Sequence, residues 1–255
     1  MLERIASMSE AAEARVAIGS ASEGDAASIS AARANESGLG PVDLFKDPGA
    51  LVGALVDGDV DAAVRGTLSA HDTLPRLVAA AGATSPMRVA LLELGPGRTV
   101  LLTPVGIDEG GDMAQRWVLL KAAAGLADSL GVVPRAAVMS MGRREDADRG
   151  EAIAVSVREC EALRSAAEAE GVMAECVGIQ LERALQGHNL ILAPDGVTGN
   201  LIFRSLHLVA RHESWGAAAM GVSPLVFVDT SREKADYLGA IQLARALASV
   251  VHRRQ

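Results

Sequence analysis

Two segments near the C-terminus place residues that could hold an anion directly after apolar runs. The first reads Leu190-Ile-Leu-Ala-Pro-Asp-Gly-Val-Thr-Gly-Asn-Leu-Ile-Phe-Arg204, and the second reads Leu225-Val-Phe-Val-Asp-Thr-Ser-Arg-Glu-Lys-Ala-Asp236. Each reads as a strand, a turn of small and hydroxylated residues, and a helix. A helix start of that kind aims free backbone N–H groups and the positive end of the helix dipole at one spot, which attracts phosphate or carboxylate. Sulfate or phosphate is therefore expected between the helix starts at Thr198–Asn200 and Thr230–Arg232.

Each motif also has a purely structural reading. Thr230-Ser-Arg-Glu233 matches a capping box, with Thr230 as N-cap and Glu233 three residues on. That reading leaves Arg232 unexplained, because a cation in the first turn faces the positive end of the dipole. Its partner at i+4, Asp236, gives the less favourable order of a helical ion pair. An anion between Arg232 and the helix terminus resolves the conflict. In the other segment Thr198, Gly199 and Asn200 open the helix and Arg204 lies one turn further on, while Gly196 and Gly199 permit positive φ and close backbone approach. An ordinary glycine turn capped by Asn200 accounts for the same residues.

Two further loops leave strand-like runs. Arg65-Gly-Thr-Leu-Ser-Ala-His-Asp-Thr73 offers Arg65 and Ser69, with Asp72 as a cap for the helix that follows. A polar loop at the carboxyl end of a strand is where open α/β sheets take ligands, though a solvated capping loop reads the same way. Ser140-Met-Gly-Arg-Arg-Glu-Asp146 contributes Ser140 and Arg143. The five histidines do not converge, and His207 and His212 lack a carboxylate pattern, so no metal is expected. There is no GxSxG, no GxxxxGK[ST], and no GxGxxG after a strand.

The elements that must position these residues alternate along 255 residues. Helices are expected over 2–13, 48–57, 72–82, 112–130, 148–170 and 180–187, with another ending at Asn35 and a last one from about Ser231 to Val251. Strands are expected at 15–19, 41–45, 61–64, 89–94, 99–102, 135–140 and 176–178, together with the two terminal runs. Gly95-Pro-Gly97 joins the fourth strand to the fifth. This alternation predicts an α/β protein with mostly parallel sheets and right-handed crossovers. Hydrophobic residues make up 49% and aromatics 2%, so the core must be built from Ala, Val, Leu and Ile.

A formal net charge of −8, with no basic stripe, argues against nucleic acid. Charges or glycines interrupt every apolar run before it reaches the length of a membrane span, and the N-terminus lacks a secretory pattern; a cytoplasmic protein is expected. Cys160 and Cys176 have neither CxxC spacing nor a histidine companion, and are expected to be reduced thiols near a core.

Val64-Arg-Gly…Asp72-Thr73, Pro194-Asp…Thr198-Gly-Asn200…Arg204 and Asp229-Thr-Ser-Arg232…Asp236 resemble, in the same order, segments of the phosphate acetyl/butyryltransferases. Ser140-Met-Gly-Arg…Asp148-Arg149 and Ala193–Arg204 are particularly similar to the archaeal MtxX proteins, also called methanogenesis marker protein 4. The resemblance covers most of residues 60–250. It implies an isocitrate/isopropylmalate dehydrogenase-like fold of two α/β domains flanking a cleft, one formed by 1–84 with 225–255 and the other by 85–224, and a homodimer.

It further implies that Ser231 and Arg232 hold an acyl phosphate and that Asp236 takes the proton of the coenzyme A thiol. Asn200 matches the asparagine of a TGN motif, and Arg204 stands where those enzymes have lysine. Two departures bear on this. Asp236 follows the arginine more closely than in the transferases. Met141-Gly-Arg-Arg-Glu-Asp146 replaces their Ser/Thr/Gly-rich loop, which weakens the case for coenzyme A and leaves another thiol open. The resemblance implies a transferase acting on an acyl phosphate or another small phosphorylated ligand. The alternative is an MtxX component of methanogenesis, related to methyl transfer but without acyl transfer. A metal-dependent dehydrogenase on the same fold is disfavoured because its metal-binding cluster is missing.

Overall fold

A computed structural model describes residues Met1–His252. The chain divides into two compact units, one of Met1–Pro86 with the segment from Ser214 onward, the other of Met87–Glu213. Both are α/β, as the alternation of elements predicts.

The first unit runs α1 (Leu2–Ala11), β1 (Val16–Gly19), α2 (Ala26–Glu36), β2 (Val42–Phe45), α3 (Pro48–Val56), β3 (Ala62–Val64) and α4 (Ala70–Ala80). It resumes with β9 (Glu213–Met220), β10 (Phe227–Asp229) and α9 (Leu238–His252). Its strands lie in the order β2-β1-β3-β10-β9. All of these pairings are parallel except β10 with β9. Every residue of β1, β3 and β10 is buried, as expected of parallel strands covered by helices on both faces. Ala17, Ala63 and Phe227 pack with Leu51, Leu55 and Leu77 of α3 and α4 in one core cluster. The chain leaves β1 through α2 to reach β2 on one side, then returns through α3 to β3 on the other. Right-handed crossovers therefore put α2 and α3 on opposite faces. The sheet thus has its switch point at the carboxyl ends of β1 and β3, where open α/β sheets form a crevice.

The second unit runs β4 (Met87–Gly95), β5 (Arg98–Thr103), α5 (Met113–Ser129), β6 (Arg135–Met139), α6 (Glu151–Ala169), β7 (Met173–Gly178), α7 (Leu181–Ala184), β8 (Leu190–Leu192) and α8 (Gly196–Arg204). The strand order is β4-β5-β8-β6-β7. β4 and β5 form the expected antiparallel hairpin, turning through Gly95 and Gly97 at positive φ, and the other pairings are parallel. A short 3-10 helix (Arg144–Arg149) precedes α6, and a π-helical turn (Ser205–Val209) follows α8.

Three local expectations are corrected. The last helix begins at Leu238, not Ser231, so residues 231–237 are an irregular loop. β9 occupies a Trp-Gly-Ala-Ala-Ala segment in which no element is expected from the sequence. Cys160 on α6 and Cys176 on β7 form a disulfide with Cα atoms 6.0 Å apart, so they are not the free thiols expected. Among the described residues no helix is long and apolar enough to cross a membrane.

Candidate functional site

At the carboxyl edge of the first unit, the loops after β1, β3 and β10 are tied together by side chains. Arg65, at the end of β3, is buried. It donates through Nε to Asp229 at the end of β10 and through a second nitrogen to the Leu68 carbonyl. Asp229 also accepts from the Thr230 N–H at 2.9 Å, and the Thr230 hydroxyl donates to the Gly66 carbonyl at 2.9 Å. Gly66 sits at φ 61°, and a β-carbon there would lie 1.9 Å from the Gly19 carbonyl oxygen, so glycine is required at this crossing of β1 and β3. Arg65, expected to bind ligand, is thus a positioning group that holds two strand ends.

The loop after β1 centres on Asp25, the N-cap of α2. Its carboxylate accepts from the Ser28 N–H and Ser20 hydroxyl, both at 2.9 Å, from the Ala21 N–H at 3.0 Å, and from the Thr67 hydroxyl of the neighbouring loop. Burial disfavours its charge, but the hydrogen bonds from Thr67, Ser28, Ser20 and Ser22 outweigh burial and lower its pKa to about 2. Thr67 in turn accepts from Ala21 N–H at 2.8 Å. Asp25, Thr67 and Asp229 are the members of this edge that reasoning from sequence did not single out. The one usable signal was an aspartate three residues before Ser28, spaced as an N-cap.

The loop after β10 carries Ser231, Arg232 and Asp236. Because no helix starts here, the capping-box reading of Thr230 and Glu233 is corrected: the Thr230 hydroxyl is committed to Gly66. Ser231 instead donates to Glu233 at 3.0 Å and accepts from the Glu233 N–H at 3.3 Å. Arg232 is exposed and makes no ion pair or hydrogen bond among the described residues. Asp236 does not share a helical face with Arg232. Its Oδ1 accepts from the Leu238 N–H at 2.7 Å at the start of α9, and its Oδ2 accepts from Arg33 of α2 at 2.7 Å. Tyr237 is fully buried behind this loop, its hydroxyl donating to the Ser231 carbonyl at 2.9 Å and its N–H to the Ser30 hydroxyl. Burial is the main reason its phenol is raised to about 12, with Arg65 opposing and Asp25 and Glu233 reinforcing the shift.

Ser69 is the N-cap of α4 but makes no capping bond through its side chain. Asp72, expected as that cap, lies exposed in the first turn. The first unit therefore brings Arg65, Ser231, Arg232 and Asp236 to one edge, with Arg65 and Asp236 already partnered.

The remaining candidates lie in the second unit. Asp195, not Asn200, caps α8. Its carboxylate accepts from the Thr198 N–H at 2.7 Å and the Thr198 hydroxyl at 3.0 Å. The end of α8 expected to receive an anion thus has a carboxylate on the very N–H that would bind one. Asn200 Nδ2 donates to the Val105 carbonyl at 2.8 Å. Gly196 and Gly199 are helical, without positive φ, and serve close approach: a β-carbon would lie 1.8 Å from Gly106 O and from Pro104 O respectively. The TGN residues therefore seat α8 on the loop after β5. That loop is stiffened by the buried carboxylate of Glu109, which pairs with Arg88 and accepts from the Gly106 N–H at 3.1 Å. Arg204 ends α8, about 12 Å along the axis from Gly196, and is exposed.

The loop after β6 borders a pocket of about 240 Å³ reached by Ser140, Arg143, Gly178, Gln180 and both cysteines. The Ser140 hydroxyl is spent on the Gly142 carbonyl at 2.8 Å. Arg143 is exposed, with its guanidinium 3.8 Å from Glu145. Among the described residues no group of three His, Cys, Asp or Glu is placed to hold a metal.

Among solved structures the fold is similar to a branched-chain phosphotransacylase from Enterococcus faecalis. That likeness has a TM-score of 0.73 at 16% identity over 92% of this chain and 99% of that one. A phosphotransacetylase from Streptococcus pyogenes gives 0.69 at 13% identity, covering 99% and 98%. No family model matches the chain. In sequence it is 35% identical over 214 residues to the "Putative methyltransferase mtx subunit X" of Methanosarcina barkeri, covering 84% of this chain and 79% of the relative. The protein of that name in Methanosarcina acetivorans is 37% identical over 211 residues, covering 82% and 75%. An uncharacterized methyltransferase of Methanopyrus kandleri is 41% identical over 209 residues, covering 80% and 81%. With identities above a third carried across most of both chains, on a phosphotransacylase-like fold, this chain belongs to the MtxX family.

Proposed function

We propose that the chain binds a small phosphorylated molecule at the carboxyl edge of its first unit and transfers an acyl group from it, as a transferase of the phosphotransacetylase kind. The observation that carries this reading is Arg232, an exposed guanidinium without an anionic partner among the described residues, set beside Ser231 and close to the switch point of the sheet. Arg232 would neutralise the phosphate and the charge that develops on the tetrahedral intermediate. Ser231 would donate to the departing phosphate and not attack, since its neighbour is Glu233 and no histidine activates it. Asp236 would take the proton of the attacking thiol, coenzyme A or another. The likeness to solved phosphotransacylases supports an acyl phosphate as the ligand class.

A second reading is favoured by the state of Asp236 itself. Each of its oxygens already accepts one hydrogen bond, from Arg33 and from the start of α9. A protein in which that contact persists would bind the phosphorylated ligand without acyl transfer, acting as a component of a methyl-transfer system, as the names of its relatives have it. Assay of the full chain with acetyl phosphate and coenzyme A in both directions separates the two. Turnover abolished by Arg232→Ala supports the transferase. Phosphate binding without turnover supports the second reading.

A further inference from the structure

The disulfide does not lie in the middle of a core. Cys160 and Cys176 both line the 240 Å³ pocket at the carboxyl ends of β6 and β7, together with Arg143, Arg144 and Arg183 and the carboxylates of Glu145 and Glu161, a lining with one positive charge in excess. The two sulfurs are unlike. Cys160 is 2% exposed on α6, whereas Cys176 is only partly buried. Cys160 Sγ also lies 3.3 Å from the Val138 carbonyl oxygen, so a thiol released there has an acceptor in place. An attacking group therefore reaches Cys176, and the leaving sulfur is one whose reduced form the interior already accommodates.

The arginines set the charge of the attacker. All three arginines are solvent-exposed, but Arg144 and Arg183 are in direct contact with Glu161 and Glu175, whereas Arg143 stands 3.8 Å from Glu145. Arg143 is thus the guanidinium in this pocket with the loosest ion pair.

We propose that Cys160–Cys176 is a reversible redox site whose co-substrate is a low-molecular-weight thiol bearing an anionic group, with that group held by Arg143. The thiolate attacks Cys176 Sγ and forms a mixed disulfide. The Cys160–Cys176 bond breaks, and its electron pair leaves with Cys160 Sγ, which takes a proton and donates to Val138. A second thiolate then attacks the external sulfur of the mixed disulfide, releasing the symmetrical small-molecule disulfide and leaving Cys176 reduced. Two electrons pass from two small thiols to the protein disulfide, and the reverse sequence closes it again.

The test follows the rate at which protein thiols appear in the native full-length chain. The reductants are 3-mercaptopropionate, 2-mercaptoethanol and cysteamine, supplied at equal thiolate concentration. The expected order is anionic over neutral over cationic, with about a tenfold span between the extremes at low ionic strength. Arg143→Ala, a change at an exposed side chain, should remove the preference for the anion while leaving the rate with 2-mercaptoethanol unchanged. In the native chain, acid quenching during reduction by 3-mercaptopropionate followed by peptide mapping should place the mixed disulfide on Cys176 and not on Cys160. Three results overturn the proposal: equal rates for the three thiols, reduction only when denaturant is added (a structural staple), or two free thiols remaining after treatment with diamide.

Discussion

Arg33 on α2 meets Asp236 at 2.7 Å although 203 residues separate them in the chain. That contact decides what Asp236 can do, because the other carboxylate oxygen already receives the first N–H of α9. Asp236 thus serves the fold first, joining α2 to the start of α9. Any proton it took would have to be accepted beside the Arg33 and Leu238 contacts.

The pair is half exposed, so Arg33→Ala should cost less than about 1 kcal/mol in denaturant unfolding. Asp236→Asn should leave inorganic phosphate binding intact. If the chain is an acyl transferase, the same variant should slow turnover with acetyl phosphate and coenzyme A by about 10²–10⁴-fold, the usual worth of a positioned base. Phosphate affinity lost together with Asp236 would assign that residue to holding the loop and not to chemistry.

Arg245 on α9 should matter more to stability than the exposed Arg232 or the half-exposed Asp236. It is buried and donates to the carbonyls of Ser9, Ala12, Ala14 and Gly40, fixing the chain between α1 and β2. Burial lowers its pKa, and these four acceptors are its compensation. Arg245→Ala leaves buried carbonyls unpaired and should cost about 2–3 kcal/mol or more, read from the midpoint of urea unfolding.

Asp25 makes the first unit sensitive to acid in a defined window. Its pKa in the folded chain, about 2, lies below the ordinary 3.8. A depressed carboxylate contributes stability above the unfolded value, and that contribution is lost as pH falls through the folded one. The loss therefore falls between about pH 4 and pH 2. Asp25→Asn should flatten the dependence of unfolding free energy on pH across that window, measured by urea titrations at several pH values.

Gly199→Ala should lift α8 from the loop after β5, since the new β-carbon would stand 1.8 Å from the Pro104 carbonyl. A change that elsewhere in a helix stabilises by up to about 1 kcal/mol should here destabilise. Hydrogen exchange at α8 and at residues 104–109 should rise together.

The alternation of strands and helices was readable because each buried strand carries a short apolar run and the helices between them are longer Ala- and Leu-rich segments. β9 was not, because Trp215-Gly-Ala-Ala-Ala carries neither branched side chains nor a period of two. The start of the last helix differs from the sequence expectation for a specific reason. Thr230 and Glu233 have the spacing of a capping box, but the Thr230 hydroxyl bonds Gly66, 164 residues away. Asn200 is a cap on the structural reading of its glycine turn, but in the folded chain Asp195 receives the Thr198 N–H instead. Of the proposed site, Ser231 and Arg232 were legible as a motif. Arg65 and Asp236 are expected there too, but their partners are not, because Arg65–Asp229, Arg33–Asp236 and Thr67–Asp25 are contacts between distant segments. Close pairing of polar groups across the chain leaves no periodicity to read.

The central claim is that Arg232 holds the phosphate of a small ligand, and calorimetric titration of inorganic phosphate into the full chain tests it most directly. The account predicts one site per chain, with affinity falling at least about tenfold in Arg232→Ala, the scale of one charge-assisted hydrogen bond. Because Arg232 is exposed and makes no ion pair among the described residues, the melting temperature of the variant should match that of the parent chain. Equal phosphate affinity in the two proteins, or no saturable binding in either, would contradict it.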